Sequence, residues 1–255
     1  EARLPVRMIG GRLVALCQLS SPTSSAPVNL WLAFDKPCGL ELHNKVADPL
    51  GVEQPDGTML PITIALPGLD IEVEMREHGD EQAMEAFTKR YAPVMEEVAL
   101  AGTIGGKILS QYEVTLDLAR GQVRLKPSVD REGERPAGPE QVYVPGSLAN
   151  DIGWMPAKLP NGHVRMLGIG TSQYDSVIDE DFCFEVDRPD GRIGSVEVAG
   201  IDLSQVVAWR PESYDQVHRG GALATLGLGF LQSFRVHLDI RNGWIGLTRV
   251  KKAAF

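Results

Sequence analysis

A chain of 255 residues, 43% hydrophobic and 23% charged, is long enough for one large core or for two of about 120 residues each. No apolar run reaches the roughly 18 residues that a membrane-spanning helix requires. A formal net charge of −9, with no Lys/Arg run longer than a pair such as Lys251-Lys252, argues against an extended basic surface for nucleic acid or anionic lipid.

In chain order the signals are mostly those of strands. "GRLVALCQLS" and "VNLWLAF" come first, then "YEVTLDL" and "QVRLKP", and near the end "FRVHLDI" and "GWIGLTRV". They are short, alternating or β-branched, and separated by Gly, Asn, Asp and Pro clusters, the pattern of a sandwich or barrel. One segment differs. "GDEQAMEAFTKRYAPVMEEVALA" puts Met84, Phe87, Tyr91, Val94 and Met95 at helical spacing behind an acidic opening, and Pro93 is expected to bend or end that helix. The charged, Pro- and Gly-rich stretch 128–141 reads as a linker, which divides the chain into lobes 1–127 and 142–255. Cys17, Cys38 and Cys183 make no zinc pattern and allow at most one disulfide with one thiol left over, which fits either redox compartment. A chain that opens on Glu1 rather than Met is expected of a processed or trimmed product.

An internal repeat organises these elements. "TIGGKILSQYEVTLDLARGQVRL" (103–125) aligns without a gap on "TLGLGFLQSFRVHLDIRNGWIGL" (225–247) at an offset of 122 residues. Gly105 matches Gly227, Leu109 Leu231, Val114 Val236, Leu116 Leu238, Asp117 Asp239, Gly121 Gly243 and Leu125 Leu247. Each copy predicts a Gly-containing turn, about one turn of helix, and a hairpin closed by "ARG" or "RNG", where Gly takes positive φ. Upstream, "VEQPDG" from Val52 and "VDRPDG" from Val186 match at an offset of 134, so the first half carries the extra residues, and the helix falls among them.

A Gly turn, a Leu, a strand ending in Leu-Asp and a Gly-capped hairpin resemble the closing element of a lobe in aspartic proteases of the pepsin and retropepsin type. Upstream, "LPVRMIGGRLVALCQL", "VNLWLAFDKPCG" and "LELHNKVADPLGV" are similar to that family's order of hairpin, apolar strand ending in the catalytic turn, and segment leading to a Leu-Gly pair. "GWMPAKLPNGHVRMLGIGTSQYDSVID" follows the same order in the second half. The resemblance implies an all-β, two-lobed fold with one helical insertion in the first lobe. It also places "PDGTMLPITIALPGLDIEV" where the family has its flap hairpin over the cleft.

In that family two Asp-Thr-Gly turns meet between the lobes, so that two carboxylates share one proton and activate a water. Here the first turn reads Asp35-Lys36-Pro37-Cys38, which keeps an acid and loses Thr and Gly. The second reads Gly168-Ile169-Gly170-Thr171-Ser172, with Gly168 taken as the position of the lost acid. Asp175 and Asp179, seven and eleven residues past Gly168, lead away from the turn and read as solvated or turn-capping. Asp35 is then either a working acid or a vestigial one hydrogen-bonded to the Thr171 side of the opposite turn, and Lys36, where it points inward, would pair with it and lower its pKa.

Other constellations are thin. His43, His78, His163, His218 and His237 stand far apart with no metal-ligand spacing, and "GIGTSQ" lacks the Gly-x-Ser-x-Gly frame of a serine nucleophile. The glycines of "GGALATLGLG" are followed by no Lys-Ser/Thr, so they make no phosphate loop. Cys38 reads as a small buried filler rather than a reactive thiol. No metal and no cofactor is expected. The expectation is a protein without aspartic-protease activity that binds a protein or peptide in the cleft or on strand edges, or serves as a structural component of a larger assembly. Lys36, Cys38, Gly170, Thr171 and Ser172 are its candidate contacts, and no nucleic acid is expected as a partner. The alternative is an aspartic endopeptidase of altered mechanism using Asp35. Family habit suggests a periplasmic or secreted setting and leaves the cytoplasm open.

Overall fold

The computed structural model describes residues 1–52, 60–73, 76–95, 98–131, 142–145, 147–149, 152–159, 162–171, 174–179, 196–198, 201–203, 209–212 and 224–250. Among these no helix is long and apolar enough to cross a membrane. The "VEQPDG" and "VDRPDG" matches and most of the linker lie outside the described residues, as do Cys183 and His218.

The repeat is realised strand for strand. In the first lobe a strand, Leu100–Gly105, runs into one turn of helix, Gly106–Leu109, and then the hairpin Tyr112–Asp117 and Gln122–Pro127. In the second, Ala224–Leu226 runs into Leu228–Leu231 and the hairpin Phe234–Asp239 and Trp244–Arg249. Gly121 (φ 61°) and Gly243 (φ 73°) close the two hairpins in the left-handed region, as the paired "ARG" and "RNG" predict.

The two hairpins join edge to edge. Val236 pairs with Leu116, His237 with Thr115 and Leu238 with Val114. Since Val236 repeats Val114 and Leu238 repeats Leu116, this register maps onto itself when the lobes are exchanged, and a pseudo-twofold axis passes through the Thr115–His237 pair. The flanking strands obey the same symmetry. Ala2–Ile9 pairs first with Gln122–Pro127 and then with Arg12–Ser20, and in the second lobe Val142–Pro145 and Ser147–Ala149 divide those two duties.

Alternation along the strands places Leu13, Leu19, Leu30, Leu32, Leu116 and Leu238 in one core that runs through both lobes. The hairpin Ile62–Leu66 and Leu69–Val73 belongs to that core. It pairs with Gln18–Ser20, buries Ile62, Ile64, Leu66, Ile71 and Val73, and its tip at Gly68 lies against the Glu1 carbonyl. The expected cover for the cleft is therefore part of the first lobe's wall, because apolar residues on alternate positions of both strands give it a face that must be buried.

The helical insertion is Glu81–Tyr91, capped by the Asp80 carboxylate, which accepts from Ala83 N–H, and it passes at Pro93 into a 3-10 turn. Its apolar side does not join the main core. Met84, Phe87 and Tyr91 pack with Ile9, Val14, Trp31, Ala33, Met95 and Leu100 on the opposite face of the first-lobe sheet. Val94 is exposed.

Candidate functional site

Two apolar strands deliver the turns to the lobe boundary. Ser25–Ala33 lies antiparallel to Arg12–Ser20 and parallel to Leu100–Gly105, and past Ala33 the chain turns back, with Lys36 N–H donating to the Ala33 carbonyl. Val164–Ile169 is held in the same way, antiparallel to Ile152–Lys158 and parallel to Ala224–Leu226.

The parallel registers settle which residues correspond. Leu32 stands opposite Ile104 and Ala33 opposite Gly105; Ile169 stands opposite Leu226, and Gly170 N–H donates to the Leu226 carbonyl. Ile104 repeats Leu226 and Gly105 repeats Gly227, so Ala33 is the twofold mate of Gly170 and Phe34 that of Thr171. This corrects the placing of the lost acid at Gly168. Gly168 lies inside the strand, paired with Trp154 and Thr225, two residues short of the turn. Asp35 correspondingly falls two residues past Ala33, and its mate Ser172 lies outside the described residues.

Thr171 ties the turns together. Its buried hydroxyl accepts from Phe34 N–H at 2.9 Å and donates to the Leu32 carbonyl oxygen at 2.9 Å. Its own N–H donates to Asp35 Oδ1 at 3.1 Å. The two turns thus clasp each other with the hydroxyl of one lobe and the carboxylate of the other. Asp35 also stands next to the Gly170 backbone: a Cβ added there would lie 3.2 Å from Asp35 Oδ2 and 2.6 Å from Thr225 Cγ2.

The remaining candidates build the turn rather than line an opening. Lys36 does not take the inward pose that would pair it with Asp35: it pairs with Glu41 at 2.8 Å, with its Nζ 5.0 Å from the Trp31 ring centre. Cys38 is buried and not disulfide-bonded, and burial first, then the Glu41 charge, push its thiol up to about 12, where it is a poor nucleophile. Gly105 is required beneath it, since a Cβ there would sit 2.3 Å from Cys38 Sγ and from its carbonyl oxygen. Gly170 and Thr171 are buried as well, and Asp175 is exposed.

Two carboxylates on the twofold positions are what proton sharing and water activation require. Ala33 and Gly170 supply none. The Ala33 face is also closed by the helix 81–91 cluster, which leaves the methyl fully buried. Among the described residues no three His, Cys, Asp or Glu side chains gather as metal ligands. His43 caps the short helix Asn44–Ala47, with Nδ1 accepting from Lys45 N–H, and His237 stands on the pseudo-twofold axis, Nδ1 3.2 Å from Thr115 Oγ1.

No protein-family model matches the chain, and no curated protein does. Among solved structures 383 chains match, and a fold by itself does not carry an activity with it. One is Basic 7S globulin from soybean, 11% identical, with a TM-score of 0.52 over 97% of this chain and 94% of that one. At that identity the likeness speaks for architecture alone: the chain has an all-β, two-lobed, pepsin-like fold.

Proposed function

We propose that this protein is a pepsin-like scaffold without aspartic-protease chemistry, and that it works by binding a protein or peptide segment. The observation that carries the reading is the pair Ala33 and Gly170, the twofold mates at the centre of the turns, neither of which bears a carboxylate. Asp35 does not replace them. Its Oδ1 accepts the Thr171 N–H, and a single carboxylate cannot both hold the shared proton and take one from water. A two-lobed sheet keeps shaped faces and strand edges when its chemistry is gone, and these are general means of taking an extended segment.

The test has two parts. A mixed peptide library is incubated with wild type and with Asp35→Asn between about pH 3 and 6, where a carboxylate pair shares its proton. Neither protein is expected to cleave, with or without pepstatin. The same library is then passed over immobilised wild type, which is expected to retain a defined subset. Cleavage abolished by Asp35→Asn would reinstate the endopeptidase, and failure to retain any peptide would remove the binding reading.

A further inference from the structure

Arg12 follows the tight turn Gly10-Gly11, whose φ angles of 55° and 76° only glycine adopts without strain. The turn directs its side chain to the outer face of the first-lobe sheet, where it meets the helical insertion. Its guanidinium carbon lies 4.2 Å from the Trp31 ring centre and 4.7 Å from that of Phe87. Tyr91, 4.7 Å from Phe87 ring to ring, packs over Gly10 and holds the helix on this spot.

Among the described residues no carboxylate forms an ion pair with Arg12. Burial pushes the guanidinium below its ordinary value and outweighs Tyr91 and then Asp80, both of which favour its charge. A half-buried cation without an anion is costly, and such groups call for an explanation in a native structure. Two further features lie against the same ring. Lys36 Nζ, shared with Glu41, is 5.0 Å from the Trp31 ring centre, and Trp31 itself, 7% exposed, has an Nε1 donor with no hydrogen-bond partner. Thr103, the partner of Trp31 in the parallel register, is fully buried and its Oγ1 is likewise unpartnered.

The guanidinium carbon lies against two rings, and among the described residues none of its N–H groups is hydrogen-bonded, while a guanidinium edge is the geometry that receives a carboxylate in two parallel hydrogen bonds. We propose that Arg12, stacked on Trp31 and Phe87 beside the Asp35-Lys36 turn, anchors a carboxylate of the segment this protein binds. This rests on the binding reading above and names its ligand chemistry: an acidic side chain or a free chain end. The site is positive only locally, so an acidic ligand meets a chain of net charge −9 elsewhere, and recognition depends on this one cation.

The experiment uses random octapeptide libraries in three forms: free carboxyl ends, amidated ends, and free ends with Asp and Glu excluded. Each is passed over immobilised wild type, Arg12→Gln and Arg12→Lys, and the retained peptides are identified by mass spectrometry. Wild type is expected to enrich carboxylate-bearing peptides about ten- to a hundredfold, the range for charge-assisted hydrogen bonds. Arg12→Gln is expected to lose that enrichment, and Arg12→Lys to recover little of it, since an ammonium lacks the fork. Retention from the amidated library identifies a side chain, and retention from the Asp- and Glu-free library identifies the chain end. The wild-type comparison between library forms needs no variant to fold. Peptides retained without regard to carboxylates, equally by wild type and Arg12→Gln, overturn the inference while the binding reading stands; no retention in any form overturns both.

Discussion

Replacing Thr171 by Val isolates the clasp between the lobes. Valine matches threonine in shape but presents a methyl group where the hydroxyl accepts from Phe34 N–H and donates to the Leu32 carbonyl, each at 2.9 Å. Thr171 and Leu32 are fully buried and Phe34 is 6% exposed, so water does not readily replace either bond. Each backbone group left unsatisfied costs about 1–3 kcal/mol. The methyl would also stand closer to both groups than van der Waals contact allows, so part of the clasp must open. We expect a loss of about 3–4 kcal/mol, a large share of the 5–15 kcal/mol that typically holds a protein folded. Urea unfolding followed by near-ultraviolet circular dichroism measures it, with an unchanged slope showing that the same surface unfolds. Thr171→Ser keeps the hydroxyl, loses one buried methyl and is expected to cost about 1 kcal/mol. A Thr171→Val protein within about 1 kcal/mol of wild type would mean that the hydroxyl bonds do not hold the lobes together.

Gly170→Asp is expected to cost about 1–3 kcal/mol by overpacking against Thr225 Cγ2 and by placing two carboxylates together at Asp35, and to give no peptide cleavage. Adding Asp35→Asn should recover part of the loss in the same urea titration, and a stable, cleaving Gly170→Asp protein would sink the prediction. Burial pushes Cys17 and Cys38 both to about 12, so neither should react with a thiol reagent at about pH 8 until the protein is unfolded. Since the unfolded thiols give up their protons first, near 9.0, the stability they contribute is full below that pH and is lost as pH rises towards 12. For His237 burial lowers the value below 6.5, so on acidification the unfolded chain takes up a proton that the folded one refuses. Stability should therefore fall as pH drops below 6.5, and His237→Gln should flatten that part of the profile measured by thermal melting at successive pH values.

The hairpins were legible because their signals are local. Gly121 and Gly243 must take positive φ, and the leucines and valines at matched spacing must face a core, so an ungapped repeat fixes both strands and turns. The helix was legible for the same reason, with its Asp80 cap, its apolar spacing and Pro93 at its end. The centre of the site was not, because position along a strand is set by the neighbouring strand. Counting from Asp35 leads to Gly168, whereas pairing with Leu100–Gly105 and Ala224–Leu226 leads to Ala33 and Gly170. A sequence signal for the right place existed in Gly170-Thr171-Ser172, where Thr171 occupies the family's Thr position and points to the residue just before it. The hairpin 62–73 was misplaced for a related reason. Its order along the chain suggested a cover, but Ile62, Ile64, Leu66, Ile71 and Val73 give it an apolar face that is stable only when buried. Arg12 carried no signal, since the rings that meet it come from residues 31 and 87.

The axis through Thr115 and His237 has a consequence for what a single chain can do that a pair of identical chains cannot. In a homodimer a residue on the axis meets its own copy, so threonine would face threonine or histidine would face histidine. Here one hydroxyl meets one imidazole at 3.2 Å. The same freedom extends one step outward. Glu113 and Arg235 hold corresponding places, yet Arg235 reaches across to Asp117, while Glu113 is met by Lys126 and by Arg131 from the stretch that leaves the first lobe. Covalent joining of the halves has let them become heterotypic: each specialises for the other, the lobe-exchanged arrangement no longer matches, and neither half is expected to form an equivalent seam with a second copy of itself.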